Sequence, residues 1–254
     1  MIRLSANLGF LWTELPLPDA IRRAKAAGFA AVECHWPYDV DARLVRAALE
    51  ETGLPMLGLN TVRGRPGENG LAALPGREAE ARAAIDQAFD YGRAIGARAV
   101  HVMAGAAKNA TGSRETFLAN LAFAADKADA AGMSVLIEPL NQRDAPNYAL
   151  GTIEAAAGII AELGRPCVKA MFDCYHLQIM GGDLLRRFEA HRDIVGHVQF
   201  AAVPSRAEPD EGEIAYDRLL RDLAESGYDG FFGAEYRPRR TTDEGLEWMT
   251  MLKD

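Results

Sequence analysis

The stretch that decides the fold is residues 135–141, with the sequence VLIEPLN, in which an apolar run ends in a glutamate followed by a proline. A short apolar run of this kind is typical of a buried strand in a parallel sheet. Three later stretches end in an oxygen-bearing side chain in the same way: residues 168–173 (VKAMFD), 194–199 (IVGHVQ) and 230–235 (GFFGAE). The side chains that we expect at the C-terminal ends of four strands are Glu138, Asp173, Gln199 and Glu235.

Strand-like and helix-like patterns alternate along the whole chain. Between the apolar runs lie stretches with helical periodicity, several of which end at a glycine, such as Gly53 and Gly96. We predict eight strands and eight helices in strict alternation. The eighth helix covers residues 244–253 and closes the chain. Such alternation predicts parallel strands, and 254 residues match the roughly 250 residues of a (β/α)8 TIM barrel. The expected fold is therefore an α/β, single-domain (β/α)8 barrel over residues 1–254.

An open, doubly wound sheet is the alternative to a closed barrel. The first predicted strand is followed by Asn7-Leu8-Gly9 and not by the G-x-G-x-x-G turn of dinucleotide-binding sheets, which favours the barrel. Residues 61–76 form the longest predicted loop, because their glycines and prolines are too frequent for regular structure. Since long loops often bind or cover a ligand, we expect this segment to be a lid.

The composition limits the kind of partner. The formal net charge is −8 and the chain has no run of Lys or Arg, whereas nucleic-acid binding needs clustered positive charge. No stretch approaches the ~18 apolar residues of a membrane span, and the N-terminus lacks the apolar length of a secretory signal. We expect a soluble cytoplasmic protein that acts on a small molecule. A homo-oligomer is compatible with the sequence, which does not separate partner surfaces from core.

The four strand-end side chains are spaced as one site requires. They are separated by 35, 26 and 36 residues, close to the roughly 31 residues that one of eight barrel units occupies. In a barrel these ends converge on one mouth, where three carboxylates and an amide oxygen repel one another without a cation. An all-oxygen set suits Mg²⁺ or Mn²⁺ better than Zn²⁺. Any one of the four can instead be a helix N-cap or turn residue, but together they favour a divalent metal site.

Seven motifs spread over nearly the whole chain carry a resemblance to a known family. They are ALPGREAE (73–80), HVMAG (101–105), IEPLN (137–141), FDCYH (172–176), GHVQ (196–199), GEIAY (212–216) and GAEY (233–236). These motifs resemble the hydroxypyruvate isomerase family, which lies within the xylose-isomerase-like TIM barrels and includes the 2-oxo-tetronate isomerases. In the related ketose 3-epimerases a histidine takes the third ligand place, so Gln199 favours the isomerase branch.

The resemblance implies a reaction and assigns roles to the strand-end residues. Members act as metal-dependent intramolecular oxidoreductases on an α-hydroxy carbonyl substrate, here a small hydroxy-oxo acid such as hydroxypyruvate or a 2-oxo-tetronate, through an enediolate. Glu138 and Glu235 match the two glutamates that are both metal ligands and proton donors or acceptors. Asp173 and Gln199 match residues that are ligands only. Which glutamate takes the proton stays open at this point.

Five further residues are expected to contact the substrate. By resemblance, His176 and Arg206 reach the same mouth, where they hold a developing oxyanion or a substrate carboxylate. His101 lies within a predicted strand and is either a substrate contact or a satisfied core residue. Asn7 and Asn60 come at the ends of the first and third predicted strands, where polar groups line the substrate side.

Two departures from the family lie where substrate choice is decided. Residues 202–209 (AVPSRAEP) lack the Asp, Gly and His of the family form D-V-P-G-R-H-E-P, and the lid reads RGRPG at 63–67 in place of an aromatic-bearing G-D-W. The two lid arginines, Arg63 and Arg65, suit an anionic sugar acid. A ketose 3-epimerase with the same metal and glutamates is the nearest rival function. A phosphodiesterase and a non-catalytic sugar-binding barrel are more remote, the latter because both glutamates are present.

Overall fold

In the part of the chain that the structure describes, eight parallel strands surround a central axis. The computed structural model describes residues 2–252. The strands are β1 (Leu4–Asn7), β2 (Ala31–Glu33), β3 (Gly58–Asn60), β4 (Ala99–His101), β5 (Ser134–Ile137), β6 (Val168–Asp173), β7 (Val195–Phe200) and β8 (Phe232–Ala234). They are hydrogen-bonded in the order β2-β1-β8-β7-β6-β5-β4-β3. The eight predicted strands are thus present and parallel, each within a few residues of its predicted bounds.

The sheet closes on itself between β2 and the chain just before β3. Val32 forms a parallel bridge with Met56, and its backbone N–H donates to the carbonyl of Pro55 at 3.0 Å. The N–H of Cys34 donates to the carbonyl of Gly58 at 3.1 Å. These bonds make a barrel and exclude the open sheet. Most of the apolar core lies between the barrel and its surrounding helices.

Eight α-helices of residues 2–252 surround the barrel. They are α1 (Leu17–Ala26), α2 (Ala42–Thr52), α3 (Glu78–Ile95), α4 (Ser113–Ala131), α5 (Ile153–Leu163), α6 (Cys174–Met180), α7 (Leu184–His191) and α8 (Tyr216–Glu225). Each of α2 and α3 ends at a glycine with a left-handed backbone, Gly53 at φ 67° and Gly96 at φ 73°, as their positions predict. Among the residues that the structure describes, no helix has the length and hydropathy to cross a membrane.

The predicted strict alternation is wrong in two places. Both α6 and α7 lie between β6 and β7, because Asp173 ends the strand and at once caps a helix, its side chain accepting from the N–H of Tyr175 at 2.8 Å. The predicted closing α-helix is instead a 3₁₀ helix over Asp243–Leu252, and Lys253 lies outside the described residues. Neither difference moves a strand end.

The predicted lid loop is attached to the barrel along its second half. Gly70 forms a bridge with Ala104, and the N–H of Ala73 donates to the carbonyl of Ala104 at 2.7 Å. Residues 70–73 are buried, whereas residues 63–67 are exposed. The exposed part of the loop is therefore short, and its function as a lid stays a prediction.

The barrel interior is incompletely filled. A small apolar cluster of Ala99, Leu136 and Met171 is separate from the outer core. These residues line a cavity of about 250 Å³, and Gly58 and Gly196 also form part of its wall. Barrel interiors are usually packed with branched side chains, so the small residues here leave space directly below the polar mouth.

Candidate active site

The predicted strand ends meet at the C-terminal mouth of the barrel. Glu138 directly follows β5 and Glu235 directly follows β8, while Asp173 and Gln199 lie at the ends of β6 and β7. All four side chains are buried. Asp173 pairs with Gln199 in the sheet register, and Glu138, Gln199 and Glu235 line one cavity. Pro139 has no N–H to continue the β5 ladder, so the strand stops where its glutamate reaches the mouth.

Three of the four side chains present a buried oxygen without a hydrogen-bond partner among residues 2–252. These oxygens are Glu138 Oε1, Asp173 Oδ2 and Gln199 Oε1. Buried polar atoms nearly always have a partner, because an unmade hydrogen bond carries the cost of desolvation. Carboxylate and amide oxygens are the ligands that hard divalent cations prefer. The donor set at the mouth therefore fits a divalent metal ion.

The two glutamates have opposite electrostatic surroundings. Burial, followed by the charges of Glu235 and Asp173, raises the pKa of Glu138 well above its usual value. Burial and the charge of Glu235 also raise the pKa of Asp173 to about 7. Burial acts in the same direction on Glu235, but Arg206 and His35 outweigh it and lower the pKa of that carboxyl to about 2. Glu235 is thus held as a carboxylate, and Glu138 has the higher proton affinity.

Glu235 is surrounded by donors. Asn7 Nδ2 donates to Glu235 Oε1 at 2.9 Å, and His35 Nε2 lies 3.1 Å from the same oxygen. The guanidinium of Arg206 donates to Glu235 Oε2 at 2.7 Å. Asn7 Oδ1 in turn accepts from the N–H of Gly9 at 2.9 Å. Both ends of the Asn7 amide are therefore engaged within the chain, and its predicted substrate contact stays a prediction.

His176 lies near Glu138 and Asp173, the two carboxylates whose pKa is raised. Burial and the charge of Arg206 lower the pKa of His176 to about 3, so its ring is neutral. The backbone N–H of Asn141 donates to Nδ1 at 3.1 Å, which leaves the ring proton on Nε2. That nitrogen lies 3.8 Å from Glu138 Oε1 and 3.6 Å from Asp173 Oδ2.

Glu138, Asp173 and His176 form a group whose possible ligand atoms lie within 4.8 Å of one another, close enough to hold one metal ion. Within this group the carboxylates offer oxygen ligands. The imidazole, in the tautomer that Asn141 selects, offers an N–H donor. The family resemblance predicted His176 at the mouth, but its tautomer depends on a backbone contact that only the fold supplies.

His101 and Arg206 also face the mouth. His101 Nδ1 lies 3.6 Å from Glu138 Oε2, and its buried Nε2 has no partner in the described chain. The Arg206 guanidinium lies between the rings of Phe10 and Tyr175, with its carbon 4.9 Å from each ring centre. This stacking fixes the plane of the guanidinium beside Glu235.

The rim of the mouth carries two exposed arginines on an aromatic wall. Arg63 lies over the ring of Trp36 at 4.6 Å, and Arg237 lies over Phe10 at 5.7 Å. Neither has an acidic partner in the part of the chain that the structure covers. Both line a cavity of about 260 Å³, as does Asn60, together with His176 and the two glutamates. The mouth therefore has carboxylates at its floor and arginines at its rim.

Three acidic or basic residues that line the mouth cavity have no role predicted from the sequence: His35, Asp144 and Arg237. Asp144 Oδ2 accepts from the hydroxyl of Tyr175 at 2.7 Å, and Arg237 lies in a segment that its composition marks as a solvated loop. All three follow a strand that ends at the mouth, by two, seven and three residues respectively. Their position after a strand end, rather than their residue type, is the signal that could have found them.

The fold and the mouth together define a class. Residues 21–252 match the family model described as Xylose isomerase-like TIM barrel, and the chain belongs to that family. Within it, relatives that align over nearly the full length show that the chain is a member of the hydroxypyruvate isomerase family, which includes the 2-oxo-tetronate isomerases. The predicted fold and the predicted family are both confirmed.

Curated relatives support this placement. A protein of Cupriavidus necator named 2-oxo-tetronate isomerase is 45% identical over 256 residues, with 98% of each chain covered. A human protein named "Putative hydroxypyruvate isomerase" is 40% identical over 265 residues, covering 100% of this chain and 96% of its own length. Both names denote isomerases, which confirms the prediction of an enzyme of that class.

Solved structures agree on the fold. A crystal structure from Brucella melitensis, described as an AP endonuclease of family 2, is 40% identical, with a TM-score of 0.95 and 100% of both chains covered. The 3-keto-D-glucoside 4-epimerase of E. coli is 21% identical, with a TM-score of 0.82 over 98% of this chain and 99% of its own. At that identity the second match concerns the fold alone.

Proposed function

We propose that the chain is a metal-dependent aldose–ketose type isomerase, an intramolecular oxidoreductase, that acts on a small hydroxy-oxo acid such as hydroxypyruvate or a 2-oxo-tetronate. The observation that carries this proposal is the group of three unpartnered buried oxygens, on Glu138, Asp173 and Gln199, at the same barrel mouth as Glu235. The names of the near-full-length relatives point to the same substrates.

Glu138, Asp173, Gln199 and Glu235 are the residues that would hold Mg²⁺ or Mn²⁺. When bound, the ion supplies Lewis-acid polarisation of the substrate's adjacent hydroxyl and carbonyl oxygens. The chain's own contribution is to keep the ligand oxygens dry and oriented. Asp173 is fixed through its other oxygen by the N–H of Tyr175 at 2.8 Å, and Glu235 by Asn7 and Arg206.

We assign proton removal from the substrate carbon to Glu138. No donor among residues 2–252 hydrogen-bonds to its Oε1, whereas both oxygens of Glu235 accept hydrogen bonds, and burial raises the pKa of Glu138. Glu235 is a weak base, because Arg206 and His35 stabilise its carboxylate. Proton removal leaves an enediolate. Return of that proton to the neighbouring carbon, together with transfer of the hydroxyl proton from one substrate oxygen to the other, completes the exchange of carbonyl and hydroxyl. The Nε2–H of His176 is directed at Glu138 and Asp173, where it can donate to a developing substrate oxyanion.

The rim supports an acid substrate. Arg63 and Arg237 line the mouth and have no carboxylate of the described chain to pair with, so each is available to a substrate carboxylate. The cavity of about 260 Å³ is near the lower end of ligand pockets, which start at roughly 300 Å³. A three- or four-carbon acid suits it better than a hexose. The net charge of −8 disfavours DNA, despite the name of the Brucella relative.

A substrate screen with proton NMR in D₂O tests the proposal. Three- to six-carbon keto acids and ketoses are incubated with Mg²⁺- or Mn²⁺-loaded protein. We expect the carbonyl of a small hydroxy-oxo acid to move to the neighbouring carbon as deuterium enters. Inversion of a stereocentre with the carbonyl left in place would indicate a 3-epimerase instead. No turnover of any keto acid would refute the assignment.

A further inference from the structure

A buried polar cluster lies directly beneath the mouth. Its members are Glu33 at the end of β2, His197 and Gln199 on β7, and Gly233 on β8. The three side chains are 4%, 5% and 2% exposed, which places the carboxylate of Glu33 among the most enclosed charges in the described chain. Neither the proposed proton transfer nor the proposed ligand set uses Glu33 or His197, so the cluster needs a separate explanation.

Glu33 contacts one end of the Gln199 amide. Gln199 Nε2 donates to Glu33 Oε2 at 3.1 Å. His197 Nε2 lies 2.9 Å from the same oxygen, an ion pair by distance rather than a well-aligned hydrogen bond. The other oxygen of Glu33 is 3.5 Å from the hydroxyl of Ser5. The strong contacts of this carboxylate therefore all involve Oε2.

This contact decides which way the amide faces. The two ends of a glutamine amide are nearly the same size, so packing alone does not distinguish oxygen from nitrogen. A carboxylate has no N–H or O–H and only accepts hydrogen bonds. The NH₂ group of Gln199 must therefore face Glu33, and the amide oxygen must face the mouth, where Gln199 Oε1 is buried without a partner among residues 2–252.

Gly233 makes room for this arrangement. A Cβ atom placed on Gly233 would collide with Glu33 Oε1, and it would lie 2.8 Å from His197 Nε2 and 2.9 Å from Gln199 Cγ. The three side chains of the cluster thus converge on the one strand position that has no side chain. Because Gly233 is the register partner of Gln199, the space opens beside the amide that is being oriented.

We propose that Glu33 is a positioning residue for the metal site: it holds the Gln199 amide so that its oxygen, and not its nitrogen, points at the cation. The inference rests on the proposed function, since it takes Gln199 as a metal ligand. Partners that orient ligands in this way typically contribute roughly 10- to 100-fold to metal affinity. The same orientation also prevents an N–H donor from facing the ion.

A double-mutant cycle on Mn²⁺ affinity tests the inference without any measurement of turnover. Calorimetry compares Glu33→Gln with the unsubstituted chain, first with Gln199 and then in a Gln199→Glu background. With Gln199 present, we expect Glu33→Gln to lower Mn²⁺ affinity by roughly 10- to 100-fold. In the Gln199→Glu background we expect no loss or a gain, because a carboxylate has oxygen at both ends and removal of Glu33 relieves repulsion.

Two further variants make the test specific. Ser5→Ala removes the neighbour of the other Glu33 oxygen and should leave Mn²⁺ affinity unchanged. If Glu33→Gln does not fold, as judged by circular dichroism, Glu33→Asp replaces it, because its shorter side chain no longer reaches the amide.

The outcomes separate this inference from the function it rests on. An equal loss of affinity in both backgrounds, or no loss with Gln199 present, would overturn the positioning role and leave the proposed isomerase intact. Failure of the unsubstituted chain to bind Mn²⁺ would overturn the metal site itself, and with it the role of Glu33.

Discussion

At the scale of single residues, Glu138 and Glu235 illustrate how one residue type acquires two chemical characters. Both follow a strand and both are buried. Glu235 has an amide, an imidazole and a guanidinium within hydrogen-bond distance. The oxygens of Glu138 instead have the ring nitrogens of His101 and His176 at 3.6 and 3.8 Å, and the charges of Glu235 and Asp173 nearby. The difference in proton affinity therefore comes from neighbours brought in by other strands and loops.

Neutralising either glutamate should stop the reaction for different reasons. Glu138→Gln keeps the side-chain volume but removes the base, so we expect kcat to fall by roughly 10²- to 10⁴-fold. Glu235→Gln leaves the charge of Arg206 without its carboxylate and should lower both kcat and Mn²⁺ affinity. Proton NMR of the keto acid and calorimetry measure the two effects. Near-normal turnover in either variant would contradict the assigned roles.

Arg63 and Arg65 provide a matched pair in the lid loop. Both are exposed, but Arg63 lines the mouth above Trp36, whereas Arg65 lies outside the mouth cavity. We expect Arg63→Gln to raise KM for a keto acid by roughly tenfold with kcat little changed, since a charge-assisted contact to the carboxylate is lost. Arg65→Gln should leave both constants as they are. Equal effects of the two substitutions would argue against a carboxylate contact at Arg63.

Metal affinity should depend on pH through Asp173. Its pKa is raised to about 7 by burial and the charge of Glu235, so below that pH the metal must displace a proton. Affinity for Mn²⁺ should therefore increase with pH up to about 7, by as much as roughly tenfold per unit for each proton displaced. Glu138 adds to this trend, and Glu235, with a pKa of about 2, does not. Calorimetry in buffers of different ionisation enthalpy counts the protons, and a pH-independent affinity would exclude the effect.

The sequence predicts the candidate ligands but not their surroundings. Each predicted ligand comes at the end of an apolar run, which is a local sequence pattern. The four are Glu138, Asp173, Gln199 and Glu235. His35 beside Glu235 and Glu33 beside Gln199 are contacts between residues 200 and 166 positions apart. Such pairs depend on barrel closure and strand register, which one sequence does not contain.

At the scale of elements, the lid loop and α6 show where local patterns are insufficient. The glycines and prolines of residues 61–76 correctly predict irregular structure, but not the bridge that joins Gly70 to Ala104. Helix α6 begins at Cys174, immediately after the last residue of β6. The N-cap alternative is confirmed at Asp173, whose side chain accepts from the N–H of Tyr175. The sequence pattern presents strand end and helix cap as alternatives, whereas this one residue takes both positions.

Gly70 should be the position where the lid loop tolerates substitution least. Its φ is 120°, and an added Cβ would meet the backbone carbonyl group of Met103, with the carbonyl carbon 2.6 Å away. We expect Gly70→Ala to lower the free energy of unfolding by about 2 kcal/mol or more, because it combines backbone strain with a clash. Urea unfolding followed by circular dichroism measures the change.

Gly67 is the matched control in the same loop. It also has a positive φ, 87°, but a Cβ there meets nothing within 4 Å. Gly67→Ala should lower the free energy of unfolding only by the cost of placing an L-residue at positive φ, roughly 1–2 kcal/mol. Equal losses at the two positions would indicate that the attachment to Ala104 contributes little to stability.

At the scale of the whole molecule, closure of the barrel unites these parts. Length and alternation are enough to predict eight parallel strands, because each βα unit is a local pattern. The partly open interior is not predictable in this way, since it depends on which small residues, such as Gly58 and Gly196, share one layer. The structure thus concentrates charge and unfilled space along the same axis.

Metal binding should stabilise the entire fold. A ligand that binds only the native state, at a free concentration of 100 times its Kd, adds about 2.7 kcal/mol to the free energy of unfolding. For a chain of this size that corresponds to a rise in Tm of at least about 5 °C. EDTA should reverse the rise. Asp173→Asn should reduce it strongly, because an amide replaces a ligand carboxylate. Differential scanning calorimetry measures these shifts, and an unchanged Tm at saturating Mn²⁺ would contradict a specific site.

The stacking of Arg63 on Trp36 also gives the protein an optical reporter. The chain has three tryptophans, of which Trp12 and Trp248 are buried away from the mouth, and Trp36 alone lines it. An anion that draws the guanidinium from the indole changes the electric field and the quenching at that ring. Binding of a ligand at the mouth can therefore be monitored by the change in the fluorescence of Trp36. The measurement needs no label and no turnover.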